Sequence, residues 1–259
     1  MRGLLKDKIE SLESMKQYPK KISYSGKLEL LNRKRVSIVG IRRPLPYTKS
    51  VTFNLAQKLS QRGVCVVSGG AMGVDAIAHE GAKSANTIAV LPNGLDHKYP
   101  QINKKLLADI ETNGLLLSLF EDDFKATPWS FVVRNELVVA LGDVLIVTEA
   151  ELESGSMRSI EFALNMNKEI YVLPHRLGES SATNWLLSEN KAKAIYNIDE
   201  FVTNICGCVI QNRAEDEFML FCKKNPLLNE AIELYGERVY EAELEGIIKI
   251  EQGKILLIS

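Results

Sequence analysis

Short β-branched runs alternate with longer helical patterns through the middle of this 259-residue chain, and that alternation restricts its fold more than any other feature. RVSIVG (35–40), VCVVS (64–68), TIAVL (87–91), LLLSLF (115–120), DVLIVT (143–148) and EIYVLP (169–174) read as strands. Their apolar residues are nearly continuous rather than alternating, so both faces are buried, as in a parallel sheet covered by helices on each side. Between them, YTKSVTFNLAQKLSQRG places Val51, Leu55 and Leu59 on one helical face and stops at Gly63. The stretches 73–85, 102–112, 131–141 and 156–167 read as helices in the same way. The expected fold is α/β, an extended Rossmann-like, doubly wound, mostly parallel sheet. Such a sheet takes its ligand in the crevice beyond the carboxyl ends of its strands.

The alternation fades after about residue 205, which sets the expected domains. Residues 1–34 form a short N-terminal helical extension, too small for a fold of its own and therefore packed on the Rossmann-like domain of 35–205. Residues 206–214, within the polar stretch CGCVIQNRAEDE, read as a linker. Residues 215–259 read as a small winged-helix-like domain: two or three helices, then a hairpin, IIKIEQGKILLI, turning at Gln252 and Gly253. Charge is uneven between these parts. From Arg213 onward there are six Lys/Arg against ten Asp/Glu, a balance of −4, whereas the residues before it carry +3. A polyanion would therefore meet the larger part, and the acidic C-terminal part suits contact with protein better than a grip on duplex DNA.

Apolar residues make up 46% of the chain, enough for one substantial core, yet no run approaches the ~18 residues of a membrane span. The start, MRGLLKDKIESLESMKQ, lacks the apolar centre of a secretory signal, so the expected address is the cytoplasm, with no membrane partner. Cys65, Cys206, Cys208 and Cys222 form neither a disulfide framework nor a C-x₂-C pair, and His79, His97 and His175 are scattered. Reduced structural thiols, no metal and no cofactor are expected.

Several strand ends carry residues suited to anions. In VVSGGAMGVD, Ser68, Gly69, Gly70 and Gly73 stand where a strand passes into a helix. Such glycines allow positive φ and a close backbone approach to an oxyanion at the helix N-terminus, or else serve a tight turn with close packing. Gly40 is followed by Arg42 and Arg43, two guanidinium forks at the neighbouring strand end, and Ser154, Gly155 and Ser156 open another helix. Spread over three strand ends, these groups suit a series of phosphates better than one pyrophosphate. Arg134 and Asn135 beside Phe131 and Trp129 combine charge, amide and ring, as in sites where bases stack on aromatics, although Phe131 fits a buried core position equally. The signatures G-x-x-x-x-G-K-[ST], G-x-G-x-x-G and G-x-S-x-G are all missing, so no ATP hydrolysis, NAD binding or serine-nucleophile chemistry is expected and no residue is assigned as catalytic. Asp75 and His79, at i and i+4, read either as an acid–base pair or, more simply, as a cap on the glycine loop with a histidine packed against it.

At these residues the chain resembles the DprA/Smf family of DNA-processing proteins of bacterial natural transformation. VSIVGIRRP, VVSGGAMGVDAIAHEGA, TIAVLPNGLDHKYPQIN, FVVRNELVVAL, EAELESGSMRS and TNWLL follow its signature blocks in order, across about residues 22–202. The resemblance implies an extended Rossmann domain with a winged-helix-like C-terminal domain. It also implies sequence-independent binding of single-stranded DNA, protection of incoming DNA, handover to the RecA recombinase, a homodimer and no catalysis. Carried across, its phosphate pocket falls on Ser68, Gly69, Gly70, Gly73, Arg43, Arg134, Asn135 and the loop Ser154–Ser156, with Phe131 as the base-contacting ring. Three departures stand out. RNE replaces the usual R-N-R and puts Glu136 where a basic residue is normal; His175 and Arg176 follow Pro174 in place of the commoner glycine; and in KATPWS only Lys125 offers itself as the family's basic residue. The alternative is a nucleotide-processing enzyme of the lysine-decarboxylase-like, phosphoribohydrolase type, whose P-G-G-x-G-T-x-x-E motif LESGSMRSIE approaches loosely through Gly155 and Glu161.

Overall fold

The structure, a computed structural model, describes residues 2–206, 217–236, 238–244, 247–251 and 253–257. The six strands read from the sequence are present as β3 (Arg35–Val39), β4 (Cys65–Ser68), β5 (Thr87–Leu91), β6 (Leu115–Ser118), β7 (Val144–Val147) and β8 (Ile170–Val172). They are joined by β1 (Arg2–Leu4), β2 (Ser23–Gly26) and β9 (Lys193–Ala194) in one sheet of order β1-β2-β6-β5-β4-β3-β7-β8-β9. From β6 to β9 every neighbouring pair is parallel. The chain winds outward from β3 through β4 and β5 to β6, crosses back to β7 beside β3, and winds the other way. The β3–β7 pair, in register Val36↔Val144 to Val39↔Val147, is thus the topological switch point, where a doubly wound sheet leaves a crevice.

Burial on both faces follows from the period of two. Val36 and Ile38 of β3, Val66 of β4 and Ile146 of β7 point into one core, against α1 (Pro46–Gln61), α2 (Val74–Ala82) and α7 (Ile198–Cys206). Their neighbours Val39, Val67 and Val147 point into the other, against α4 (Pro128–Leu141), α5 (Gly155–Asn165) and α6 (Ser181–Ser188). On the outer part of the sheet, α3 (Lys104–Asn113) lays Leu107 and Ile110 on Leu91 and Leu116.

The N-terminal stretch departs from the helical extension expected for 1–34. It supplies β2, antiparallel to β6, β1, antiparallel to β2 at the sheet edge, and two short 3₁₀ turns. KISYSG carries Ile22 and Tyr24 at strand spacing, both buried in the main core, and pairing there covers the edge that β6 would otherwise expose. Residues 208–259 form a separate compact unit. Its described part runs α8 (Glu217–Cys222), α9 (Leu228–Tyr235), α10 (Arg238–Leu244) and the antiparallel pair β10 (Ile248–Glu251) and β11 (Lys254–Leu257), around Phe218, Ala231, Val239, Ile248 and Ile255. Helices followed by a hairpin is the order read from the sequence. The expected linker, 206–214, and the turn residue Gln252 lie outside the described residues, apart from Cys206, which ends α7.

Candidate nucleic-acid interface

A cleft of about 760 Å³ opens at the switch point. Gly40 and Arg42 line it from the loop after β3, Gly69 and Ala71 from the loop after β4, and Ser154, Gly155 and Ser156 from the start of α5. The first two turns of α4 form its wall, and Tyr99 faces them. The entry to α4 is fixed locally: Thr127 accepts from the Ser130 N–H at 3.3 Å, Ser130 Oγ accepts from the Thr127 N–H at 2.9 Å, and Pro128 stands in the first turn. That cap sets the helix phase, which puts Phe131, Arg134 and Asn135 on the cleft side.

Arg134 is 4% exposed, and its Nη1 donates to the carbonyl oxygens of Gly69 and, at 3.2 Å, Val90, while lying 3.9 Å from Asp75 Oδ2. Its Nε is buried without a hydrogen-bond partner among the described residues. Burial pushes the Asp75 carboxyl up and the Arg134 guanidinium down, each toward neutrality, and each group opposes that shift in the other. The nearby Arg42 lowers Arg134 further, so the cleft carries an excess of positive charge at this point. The guanidinium carbons of Arg42 and Arg134 lie 5.6 and 5.7 Å from the Phe131 ring centroid, and Tyr99 meets the same ring edge-on at 6.0 Å. Arg42 is exposed and pairs with no carboxylate among the described residues.

The glycine loop has an internal explanation. A Cβ on Gly69 would stand 1.7 Å from Arg134 Nη1, so the missing side chain makes room for the chain's own arginine. Asp75 Oδ2 accepts from the Ala71 N–H at 3.3 Å and fills part of the amide nest that an oxyanion would use. Gly73, at φ +79°, lets its backbone press on Arg42: a Cβ there would lie 2.5 Å from the Arg42 carbonyl. Ser68 is fully buried and donates to Ile38 O at 2.7 Å. Ser68, Gly70 and Gly73 therefore stand behind the cleft rather than in it, and Arg43 is exposed outside its lining. Between the two readings of Asp75 and His79, the capping one describes the geometry. The His79 Nδ1 is 2.7 Å from Thr87 Oγ1, and burial holds the ring's pKa down at about 3.

The N-terminus of α5 is the open one. Ser154 precedes the helix but turns its Oγ to Glu151 O at 2.6 Å, so no side chain among the described residues caps the first turn. Nothing lies within 4 Å of where a Gly155 Cβ would be. Asn135 Nδ2 donates to Gly155 O at 3.4 Å and ties this turn to α4. Unpaired N–H groups and the positive end of the helix dipole thus face the cleft.

A family model described as DNA recombination-mediator protein A matches residues 7–206. The chain belongs to this family. It is 30% identical over 193 residues to the DNA processing protein DprA of Bacillus subtilis, covering 73% of this chain and 65% of that one. It is 32% identical to the protein Smf of Escherichia coli over 73% of this chain and 51% of the relative. It therefore spans about half to two-thirds of the length of these curated relatives. Among solved structures, one on the single-stranded DNA binding mode of DNA processing protein A from Helicobacter pylori superposes with a TM-score of 0.77 at 43% identity, over 79% of this chain and 95% of that one. DprA from Streptococcus pneumoniae gives 0.72 at 28% identity, over 78% of this chain and 73% of that one.

The departures from the DprA pattern are placed as follows. Glu136, one position on from Asn135, turns off the cleft side, and its Oε1 accepts from the Lys16 N–H at 3.2 Å. Lys125 lines a second, adjoining cleft with Lys98 and Lys104. His175 donates its Nε2–H to Thr148 O at 2.8 Å and packs edge-on against Tyr47. Glu161 pairs with Arg158 at 2.8 Å and does not line the main cleft. Trp129 is exposed and meets Phe120 edge-on. Among the lining residues that escaped the sequence reading are Tyr99 and Arg158. Tyr99 sits in a strand-end loop, PNGLDHKYP, which was signal enough; Arg158 is a helix-surface arginine with no mark in the sequence.

Proposed function

We propose that this chain binds single-stranded DNA, without regard to base sequence, in the switch-point cleft, and does so without catalysis. The observation that carries the reading is the Phe131 ring flanked by Arg42 and Arg134 beside the uncapped start of α5. Ring, cations and free amides together match a stacked base next to phosphates, the sequence-tolerant way of holding a single strand. The Helicobacter pylori relative, whose structure concerns single-stranded DNA binding, supports the same ligand here. Asp75 and His79 are engaged with Ala71, Arg134 and Thr87, which supports a non-catalytic role.

Arg42 lies over the Phe131 ring. A cation–π contact at an exposed site is worth about 0.5–1 kcal/mol, and base stacking about 1–3 kcal/mol, so a base displaces Arg42 from the ring and leaves it to a phosphate. The proposal extends to what the resemblance implies: a cytoplasmic homodimer that protects incoming DNA during natural transformation and delivers it to RecA. The test is titration of labelled oligonucleotides of several sequences over a range of salt. The wild type should bind all of them alike, and Arg42→Ala should weaken each roughly tenfold, the worth of one charge-assisted contact. The variant's salt dependence should be shallower by about 0.7 in slope. A loss confined to one sequence, or no loss, contradicts the reading.

A further inference from the structure

A second cleft of about 420 Å³ adjoins the first, and Tyr99 and Ala126 line both. Its charges sort cleanly. Lys98 is paired with Glu111 at 3.0 Å, and the acid in its wall, Asp96, is paired with Arg2 at 2.7 Å. That leaves Lys104, at the start of α3, and Lys125, ahead of α4, both exposed and neither in an ion pair among the described residues. Asn93 forms part of the floor and is fully buried. Its Nδ2 donates to the carbonyls of Gly94 and His97 at 2.9 and 2.8 Å, which fixes the amide's orientation and leaves the buried Oδ1 without a hydrogen-bond partner among the described residues. Tyr99 is 47% exposed at the boundary, its ring T-shaped to that of Phe131.

We propose that this cleft is a second nucleotide subsite, into which a strand seated at Phe131 continues past Tyr99, with Lys104 and Lys125 on its phosphates. Two unpaired cations call for an anion, and the half-exposed Tyr99 ring calls for a stacked base; a nucleotide brings both, an inorganic polyphosphate only the first. The strand's direction of travel follows from the shared wall: Tyr99 offers the stacking surface on which the path passes from one cleft to the next. The proposal rests on the single-stranded DNA reading given above.

The experiment compares wild type, the double variant Lys104→Ala/Lys125→Ala and Arg42→Ala against labelled oligothymidylates from the dinucleotide to the octanucleotide. Both lysines are exposed and unpaired, so thermal unfolding of the double variant should match the wild type. Its affinity for the dinucleotide should be unchanged, while for the octanucleotide its salt slope should be shallower by about 1.4, two phosphates at ~0.7 each. Arg42→Ala should weaken binding at every length. A double variant indistinguishable from wild type at all lengths, or one weakened equally at all lengths, overturns the second subsite and leaves the first cleft standing. A wild type that binds no oligonucleotide overturns both.

Discussion

Gly69 and Gly155 look alike in the sequence, each a small residue near the start of a helix, yet they are glycine for different reasons. At Gly69 a methyl group would collide with the guanidinium of Arg134, whereas at Gly155 it would meet nothing. Gly69→Ala is therefore expected to displace a buried arginine from the Gly69 and Val90 carbonyls and lower stability by several kcal/mol, in the ~3–5 kcal/mol range of a broken buried ion pair. Gly155→Ala should leave stability level or raise it by about 0.4–1 kcal/mol while weakening oligonucleotide binding, because the new methyl stands over the free amides of α5. Urea unfolding and oligonucleotide titration of the two variants check this; equal effects of both on stability would contradict it. The sequence raised the right question about the glycines and left its answer open. The side chain that fills the space comes from 65 residues away, a distance no local pattern reports.

At the scale of elements, one helix distributes three consecutive residues to three jobs. Successive positions on α4 are ~100° apart, so Arg134 reaches under the glycine loop, Asn135 reaches α5, and Glu136 reaches the N-terminal segment at Lys16. The acid in place of the family's basic residue thus holds the chain together instead of facing the strand. Glu136→Arg is expected to leave the salt slope and affinity for single-stranded DNA unchanged while loosening the N-terminal segment, seen as faster amide exchange around Lys16; tighter DNA binding would contradict the placement. The main strands and crossover helices were legible because long apolar runs and the period of 3.6 are local signals. The cap at Thr127 was legible too, in the T-P-W-S start of α4, but the sequence reading began that helix at 131 and missed it. β1 and β2 were not legible as strands, because β2 pairs with β6 some ninety residues on and is marked only by the alternation of Ile22 and Tyr24, while β1 is a three-residue strand that pairs with β2 alone.

Across the whole molecule, function follows from where the winding reverses. A sheet that turns about at β3 and β7 leaves their ends uncovered, and the residues placed there are cationic, aromatic and small. The +3 balance before Arg213 matches that ligand, and the −4 balance after it points the C-terminal unit toward other contacts. The most direct test of the central claim asks where a strand lies. Irradiating the protein with an oligonucleotide carrying 5-iodouracil and mapping the cross-linked peptides should place the attachments at Phe131 and Tyr99, and Arg42→Ala should reduce them. Cross-links confined to the opposite end of the sheet, or to residues after Arg213, would contradict the account.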